Sequence, residues 1–386
     1  AGGIGYAATS DLSTTGLADA SRRAMAWARR SAGRAVTDFS RLDHGAASGT
    51  FETAVKRPWD DLTLAEKLGL LRRECERLKS DDRIVDWWTG LARVEAETFY
   101  VNSLGAEVQQ RFEFVMPSMG VVAFEQGEAI RRTLYGHGAA RQGGLEVLDA
   151  VEFDTAAPRL TSEALELLGA PNCPTGTMDV VLAPDQMILQ IHESIGHPLE
   201  LDRILGDERN YAGTSFVTLD MFGAYEYGSE LLNVVWDPTR PEQLASYAFD
   251  DEGRPAAREF IIQDGILQRP LGGAISQQRA GMQGVSTSRA SGWNRPPIDR
   301  MANLNLECGD QSFEDLVRSV ERGVYMATNQ SWSIDDSRNK FQFGCEYGRL
   351  IENGELTKVV KKPNYRGISA TFWRNLKGVG DESTFQ

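Results

Sequence analysis

The chain has 386 residues, 41% of them hydrophobic and 25% charged, with a formal net charge of −14. That composition is globular and leaves room for two domains, while a surface this negative repels phosphate backbones and anionic lipid and so excludes nucleic-acid and membrane-surface binding. No apolar run approaches the roughly 20 residues that a bilayer span requires.

The first residues, "AGGIGYAATSDLS", have no basic segment and no long apolar core, so they are not a secretory signal. They also lack an initiator methionine, as expected of a chain trimmed or cut from a longer one. Asp11 to Val36 reads as a cap followed by a helix rich in Ala and Arg, whose run "SRRAMAWARR" is one solvated face. A second helix starts at Thr63, because Thr63 and Glu66 have capping-box spacing. Leu64, Leu68, Leu71, Cys75 and Leu78 follow at helical period and predict its buried stripe. Ala92 to Tyr100 alternates with period two and predicts a strand. Asn102 to Gly105 supplies a turn, and Ala106 to Val115 the returning strand. "PSMGVVAFEQGEAIRRTLYGHGAARQGG" continues that sheet into a glycine-rich loop.

"APNCPTG" at Ala170 to Gly176 is a Pro/Gly-rich break, placing one domain at 1–170 and a second at 171–386. Met178 to Leu182 is then a short strand, and Pro184-Asp185 opens a helix carrying Met187, Ile188, Ile191 and Ile195. "EFIIQDGILQ" and "GRLIENGELTK" each hold a type I′ turn dipeptide, Asp264-Gly265 and Asn353-Gly354, between apolar runs. Their likeness hints at internal duplication. Ser312 to Gly323 reads as a helix with Ser312 as N-cap, Phe313, Leu316, Val317 and Val320 on one face, and Gly323 as the stop. The expected class is α+β: two related domains with mixed or antiparallel sheets flanked by helices.

Cys75, Cys173, Cys308 and Cys345 are far apart and form no C-x-x-C pair. They are not a disulfide scaffold, and a reducing cytoplasm fits them best. The histidines are more informative. Two of only four, His192 and His197, fall within "QIHESIGHPLELD", with Glu193 between them. A pair near a helix end also suits carbonyl capping or core packing, yet half the histidines of a His-poor chain meet here beside a carboxylate. That grouping predicts a metal site. On a regular α-helix, residues five apart point about 140° away from each other, so the two imidazoles would diverge. Either a π-turn, which brings residues five apart onto one face, or a helix end at His197 would reunite them. Gly196 and Pro198 both weaken the helix, so a widening or break is expected across Ser194 to His197. Glu193 points to a different sector and is placed as the base acting on a metal-bound water.

"HESIGHPLELD", "NYAGTSFV", "DDEGRPA", "FIIQDGIL", "RMANLNLECGD", "VERGVYM" and "GRLIENGELTKVVK" together resemble the TldD/PmbA family of metallopeptidases, in its motif-bearing TldD type. The N-terminal "GYAATSDLSTTGL" resembles the family's first domain, entered part-way. The resemblance implies a zinc-dependent protease that cleaves unfolded or extended peptides. It implies a homodimer, or a heterodimer with a PmbA/TldE-like chain that lacks the motif. His192 and His197 would be zinc ligands and Glu193 the catalytic base. The family's third ligand is a cysteine in a Cys-Gly segment near the C-terminus, expected beyond Gln386. Neither Cys345 nor Cys308 matches it, and Glu200, Asp202 and Cys345 are the fallback ligands. The alternative functions are a catalytically silent scaffold subunit of such a dimer and, more remotely, a non-peptidase metal hydrolase acting on amides.

Four further features have two readings each. Asp250, Asp251 and Glu252 suit either a solvated turn or an acceptor that orients a ligating imidazole. Gly213, Thr214 and Ser215 suit an ordinary strand start or an open edge to which an extended peptide adds. His44 and His137 sit in glycine-containing loops, exposed or internally satisfied, with substrate contact a second reading for His137. The Trp87-Trp88 pair and Trp293 read as core or interface residues.

Overall fold

A computed structural model describes residues 2–136 and 138–385; His137 therefore lies outside the described residues. Helix α1 (Thr14–Ser31) starts on Ser13, whose hydroxyl accepts the Gly16 amide, and buries none of its residues. After strand β1 (Ser48–Glu52) comes α2 (Leu64–Leu78), which carries the expected reciprocal capping box of Thr63 and Glu66. Its inward face keeps Leu71, Cys75 and Leu78 of the expected stripe but not its first turns. Leu64 and Leu68 are exposed, while Lys67, Glu74 and Leu78 are buried. The two charged side chains tolerate burial because each is satisfied. The Lys67 ammonium donates to the Leu62 carbonyl at 2.6 Å and lies 4.4 Å from the Trp59 ring centre, and Glu74 pairs with Arg73 and Arg77.

Strands β2 (Ile84–Val101) and β3 (Glu107–Glu125) form one long antiparallel hairpin, extending well past the expected 92–100 and 106–115. β1 runs parallel to β3, and β4 (Glu128–Thr133) and β5 (Arg141–Gln142) pair with it antiparallel. After the single turn α3 (Val147–Ala150), helix α4 (Ala156–Gly169) covers this sheet. Leu78, Ile84, Met119, Val121, Phe153 and Leu160 form the core between them.

The second half opens with β6 (Asp179–Leu182), α5 (Pro184–Ile191) and α6 (Leu201–Ile204). Short strands follow: β7 (Val234–Trp236), β8 (Glu259–Gln263) and β9 (Ile266–Leu267), then α7 (Ala274–Ala280), β10 (Ser288–Arg289), β11 (Ile298–Asp299) and β12 (Leu304–Leu306). The chain ends with α8 (Phe313–Arg318), the long hairpin of β13 (Arg322–Ile334) and β14 (Lys340–Glu352), then β15 (Glu355–Val360), β16 (Asn364–Ile368) and α9 (Ser369–Arg374). β6 is parallel to β13, while β15 and β16 both pair with β14. A smaller sheet has the order β12-β7-β8-β9. The α5 segment lies between these sheets. Leu189 packs toward Phe341 and Phe343 on one side, and Ile191 and Ile195 join Trp236, Ile262 and Trp373 on the other.

Both type I′ turns form, with positive φ at Asp264 and Gly265 and at Asn353 and Gly354. α8 does begin on Ser312 but ends at Arg318, not at Gly323. Gly323 is a strand residue, and a Cβ there would lie 2.6 Å from the Asp179 carbonyl oxygen. Glycine is required for the close approach of β6, and the helix stops before it. Several sheets flanked by helices are what the sequence predicts for the class. No helix among the described residues is long and apolar enough to cross a membrane.

Candidate metal centre

The distortion in the α5 segment is a π-turn over His192–Gly196, closed by the His197 amide donating to the His192 carbonyl. It starts two residues earlier than expected, and His197 keeps helical dihedrals despite the proline after it. Its physical causes are local and long-range. Pro198 has no N–H to give the Ser194 carbonyl, which an α-helix would need; the Tyr227 hydroxyl donates to that carbonyl instead. The Ser194 hydroxyl donates to the Gln190 carbonyl at 2.6 Å and accepts from Gln190 Nε2 and Trp373 Nε1, both at 2.9 Å. Gly196 has ordinary helical angles. Its role is room rather than flexibility, since a Cβ would meet Met301 Sδ at 2.4 Å.

The turn brings the two imidazoles together, edge to face, with ring centres 4.6 Å apart. Ligand-capable atoms of His192, Glu193 and His197 all lie within 4.8 Å of one another, the one such group of His, Cys, Asp and Glu among the described residues. Burial, with His197, Arg338 and Arg289 nearby, depresses the His192 pKa to about 3. Its imidazole is therefore neutral at neutral pH, as a metal ligand must be. His197 Nδ1 faces Glu200 Oε2 at 2.9 Å. A carboxylate there favours the Nδ1–H tautomer and leaves the Nε2 lone pair free for a metal. Burial raises the Glu200 pKa, but the hydrogen bond to His197 and the charge of Arg203 outweigh it, and the carboxyl titrates below its usual range. Arg203 Nε sits 3.0 Å from the same oxygen. A neutral His192, a His197 whose Nδ1 is held by Glu200, and the nearby Glu193 carboxylate fit a zinc-type ion.

The fallback ligands are elsewhere. Glu200 is the partner of His197 rather than a member of the group. Cys345 is buried in β14 with its thiol on Gln186 Oε1, and burial pushes its pKa far up, away from thiolate. Asp202 is buried outside the group, and its backbone amide donates to Asp299 Oδ2 at 2.9 Å. The acidic triplet does not orient an imidazole either. Asp250 accepts the Glu252 and Arg254 amides, Asp251 accepts the Ala290 amide, and Glu252 accepts the Ser288 hydroxyl and the first amide of α7. Gly213, Thr214 and Ser215 lie outside any strand. The Thr214 and Phe216 amides already donate to the Asp336 and Ser337 carbonyls, and the Ser215 hydroxyl to the Pro198 carbonyl. His44 is exposed as expected, and Trp293, 69% exposed, is not a core residue.

Sequence reasoning missed two residues at the centre. Arg203 stands at i+3 from Glu200, a spacing that could have been read. Arg338, whose Nη1 lies 2.8 Å from Glu193 Oε2, comes from the β13–β14 turn 145 residues away, and no local pattern announces it.

The Asp202–Asp299 pair also sets a pH dependence. Burial, then the neighbouring Asp299, pushes the Asp202 pKa up to about 8, against 3.8 ordinarily. The folded protein thus keeps a proton that the unfolded chain loses near pH 4. Stability from this site is complete at low pH and is lost as pH rises through about 8. Asp202→Asn is expected to raise stability at pH 8.5 by about 1–2 kcal/mol and to flatten the loss between pH 5.5 and 8.5. Thermal melts across that range check it, and equal slopes in the two proteins would refute it.

Comparison with known proteins gives the family. The PmbA/TldA metallopeptidase C-terminal domain matches residues 175–386, and the PmbA/TldA metallopeptidase central domain matches residues 57–169. A metalloprotease of Methanocaldococcus jannaschii is 31% identical over 291 residues, which are 75% of this chain and 61% of that one. A metalloprotease of Methanothermobacter thermautotrophicus is 28% identical over 327 residues, 84% of this chain and 69% of that one. A zinc metalloprotease TldD homologue of Saccharolobus solfataricus is 24% identical over 222 residues, 57% and 48% of the two chains. Among solved structures, a Bacteroides thetaiotaomicron protein described as a proposed modulator of DNA gyrase has a TM-score of 0.75 at 19% identity, covering 98% of this chain and 81% of its own. TldE of Thermococcus kodakarensis gives 0.63 at 15%, covering 93% and 78%. At these identities the structural likeness concerns the fold. Matched over most of its length, and with the paired imidazoles inside the matched C-terminal domain, the chain belongs to the TldD/PmbA family of metallopeptidases.

Proposed function

We propose that this chain is the motif-bearing, zinc-dependent member of a peptidase dimer and cleaves unfolded or extended peptides. One observation carries the reading: a π-turn converges His192 and His197 beside the Glu193 carboxylate, all within 4.8 Å. The relatives named metalloprotease, and the one named for zinc, support it. His192 and His197 would hold the ion. Glu200 keeps His197 in one tautomer, and burial keeps His192 neutral. Zinc, when bound, lowers the pKa of a coordinated water and polarises the scissile carbonyl. Glu193 would be the proton acceptor beside the ion, holding the proton at a carboxylate oxygen until the leaving amine needs it. The partner is a second copy or a TldE-like chain, whose fold this chain shares.

Metal analysis tests the reading. Protein purified without chelator is expected to hold one zinc per chain, and His197→Ala to lose it, with affinity reduced at least about 100-fold. A wild-type protein that neither contains zinc nor takes it up from buffer would instead be a silent scaffold subunit.

A further inference from the structure

The Glu193 carboxylate has two possible employments. One of its oxygens belongs to the same 4.8 Å group as the imidazole nitrogens, so it can serve as a metal ligand as well as a proton acceptor. A carboxylate bound to the ion has given up the lone pair that a base needs. What decides between the two roles is whatever else holds that carboxylate, and in this structure that is Arg338. Nη1 of Arg338 lies 2.8 Å from Glu193 Oε2, and Nη2 donates to the Ala212 carbonyl at 3.0 Å, a fork with one tine on the carboxylate and one on fixed backbone. Both side chains are largely buried, 17% and 7% exposed, so the ion pair is poorly screened.

The β13–β14 turn is built around this side chain. Arg338 has φ +62°, a left-handed conformation that residues with a Cβ seldom adopt. Asp335 Oδ1 accepts the Asn339 and Lys340 amides, both at 2.8 Å, and the Asp335 carbonyl accepts the Arg338 amide at 3.0 Å. The Ser369 hydroxyl donates to the Arg338 carbonyl at 3.0 Å. From outside the hairpin, Thr214 and Phe216 amides fasten the Asp336 and Ser337 carbonyls at 2.7 and 2.8 Å. Gly213 lets the segments touch, since a Cβ there would sit 2.4 Å from the Asp336 oxygen. A hairpin tip needs none of this to turn round. Anchoring on three sides fixes where one guanidinium points.

We propose that Arg338 is a positioning residue that holds Glu193 away from the metal, keeping it a proton acceptor and not a third ligand. The proposal rests on the reading of His192 and His197 as ligands and Glu193 as base. The test uses cobalt(II) added to metal-free full chain, because its visible absorption reports the ligand set. Arg338→Gln is expected to change the cobalt spectrum and tighten cobalt binding at least several-fold, as the freed carboxylate joins the ion. Arg338→Gln/Glu193→Gln should return both to wild type. In the zinc protein, Arg338→Gln should lower kcat at least tenfold with KM within about threefold. Millimolar guanidinium chloride or Arg338→Lys should restore part of it. Arg338→Met, which keeps the aliphatic stem, replaces the glutamine variant if that does not fold. A wild-type cobalt spectrum and affinity in the single variant overturns the proposal. The underlying reading fails separately, by absent cobalt uptake in the wild type or by unimpaired cleavage in Glu193→Gln.

Discussion

Glu193→Gln is expected to lower peptide cleavage by about 10²–10⁴-fold while leaving fold and metal content unchanged. The substitution is close to isosteric, and its amide oxygen can still accept from Arg338 Nη1, which now meets Glu193 Oε2 at 2.8 Å. It removes the ability to take and return a proton together with the negative charge opposite Arg338, which keeps the amide oxygen and the Ala212 carbonyl as acceptors. His192 and His197 are untouched, and Glu200 still holds His197 Nδ1, so zinc retention is part of the expected result. Hydrolysis of an unfolded protein substrate, with zinc measured on the same sample, checks both. A glutamine variant that cleaves at the wild-type rate would remove Glu193 from the chemistry, whatever the metal does.

Local features of the fold were legible because their causes are local. The capping box at Thr63 and Glu66, the Ser312 cap and the two turn dipeptides at Asp264 and Asn353 depend on residues within one turn of each other, and all four form. The paired imidazoles were legible for the same reason. A spacing of five with a proline behind it admits few backbone solutions, and a π-turn is one of them. What failed depended on partners distant in sequence. Lys67 and Glu74 face inward on α2 because Leu62, Trp59, Arg73 and Arg77 satisfy them, which apolar periodicity cannot register. Gly323 was read as a helix stop because glycine does that often, whereas here it admits β6. Nothing near Thr214 in sequence shows that the Asp336 carbonyl takes its amide, so a strand start was the simpler expectation for Gly213 to Ser215. Arg338 was invisible for the same reason. At the candidate centre the sequence names the two imidazoles and the carboxylate, and tertiary structure supplies the Arg338 contact to Glu193.

The long hairpin that delivers Arg338 is itself held midway along β14, and there the largest loss of stability is expected. Arg132 on β4 is buried. Its Nη1 lies 2.9 Å from Glu346 Oε2 on β14, and its Nε and Nη2 lie 3.0 and 2.7 Å from Glu163 Oε2 on α4. Glu346 also accepts the Thr133 amide at 2.8 Å and the Thr133 hydroxyl at 2.9 Å. Burial raises the Glu346 pKa, with Arg132 the first influence opposing it. Arg132→Met removes the cation and leaves a buried carboxylate with neutral donors alone, at an expected cost of about 3–5 kcal/mol. The sign of its pH dependence follows. Without Arg132 the folded-state pKa of Glu346 rises further above its unfolded value, so the folded variant binds a proton that the unfolded chain has lost. Its deficit should therefore grow as pH rises from about 5 to 8. Arg132→Met/Glu346→Gln should recover most of the loss, since the glutamine oxygen still accepts from Thr133 and no charge stays buried. Glu163 is 19% exposed and can turn to water. Urea unfolding of the wild type, both single variants and the pair gives the coupling directly. A single variant within 1 kcal/mol of wild type would mean that the carboxylate finds another donor and that the network does not fix β14 to the first sheet.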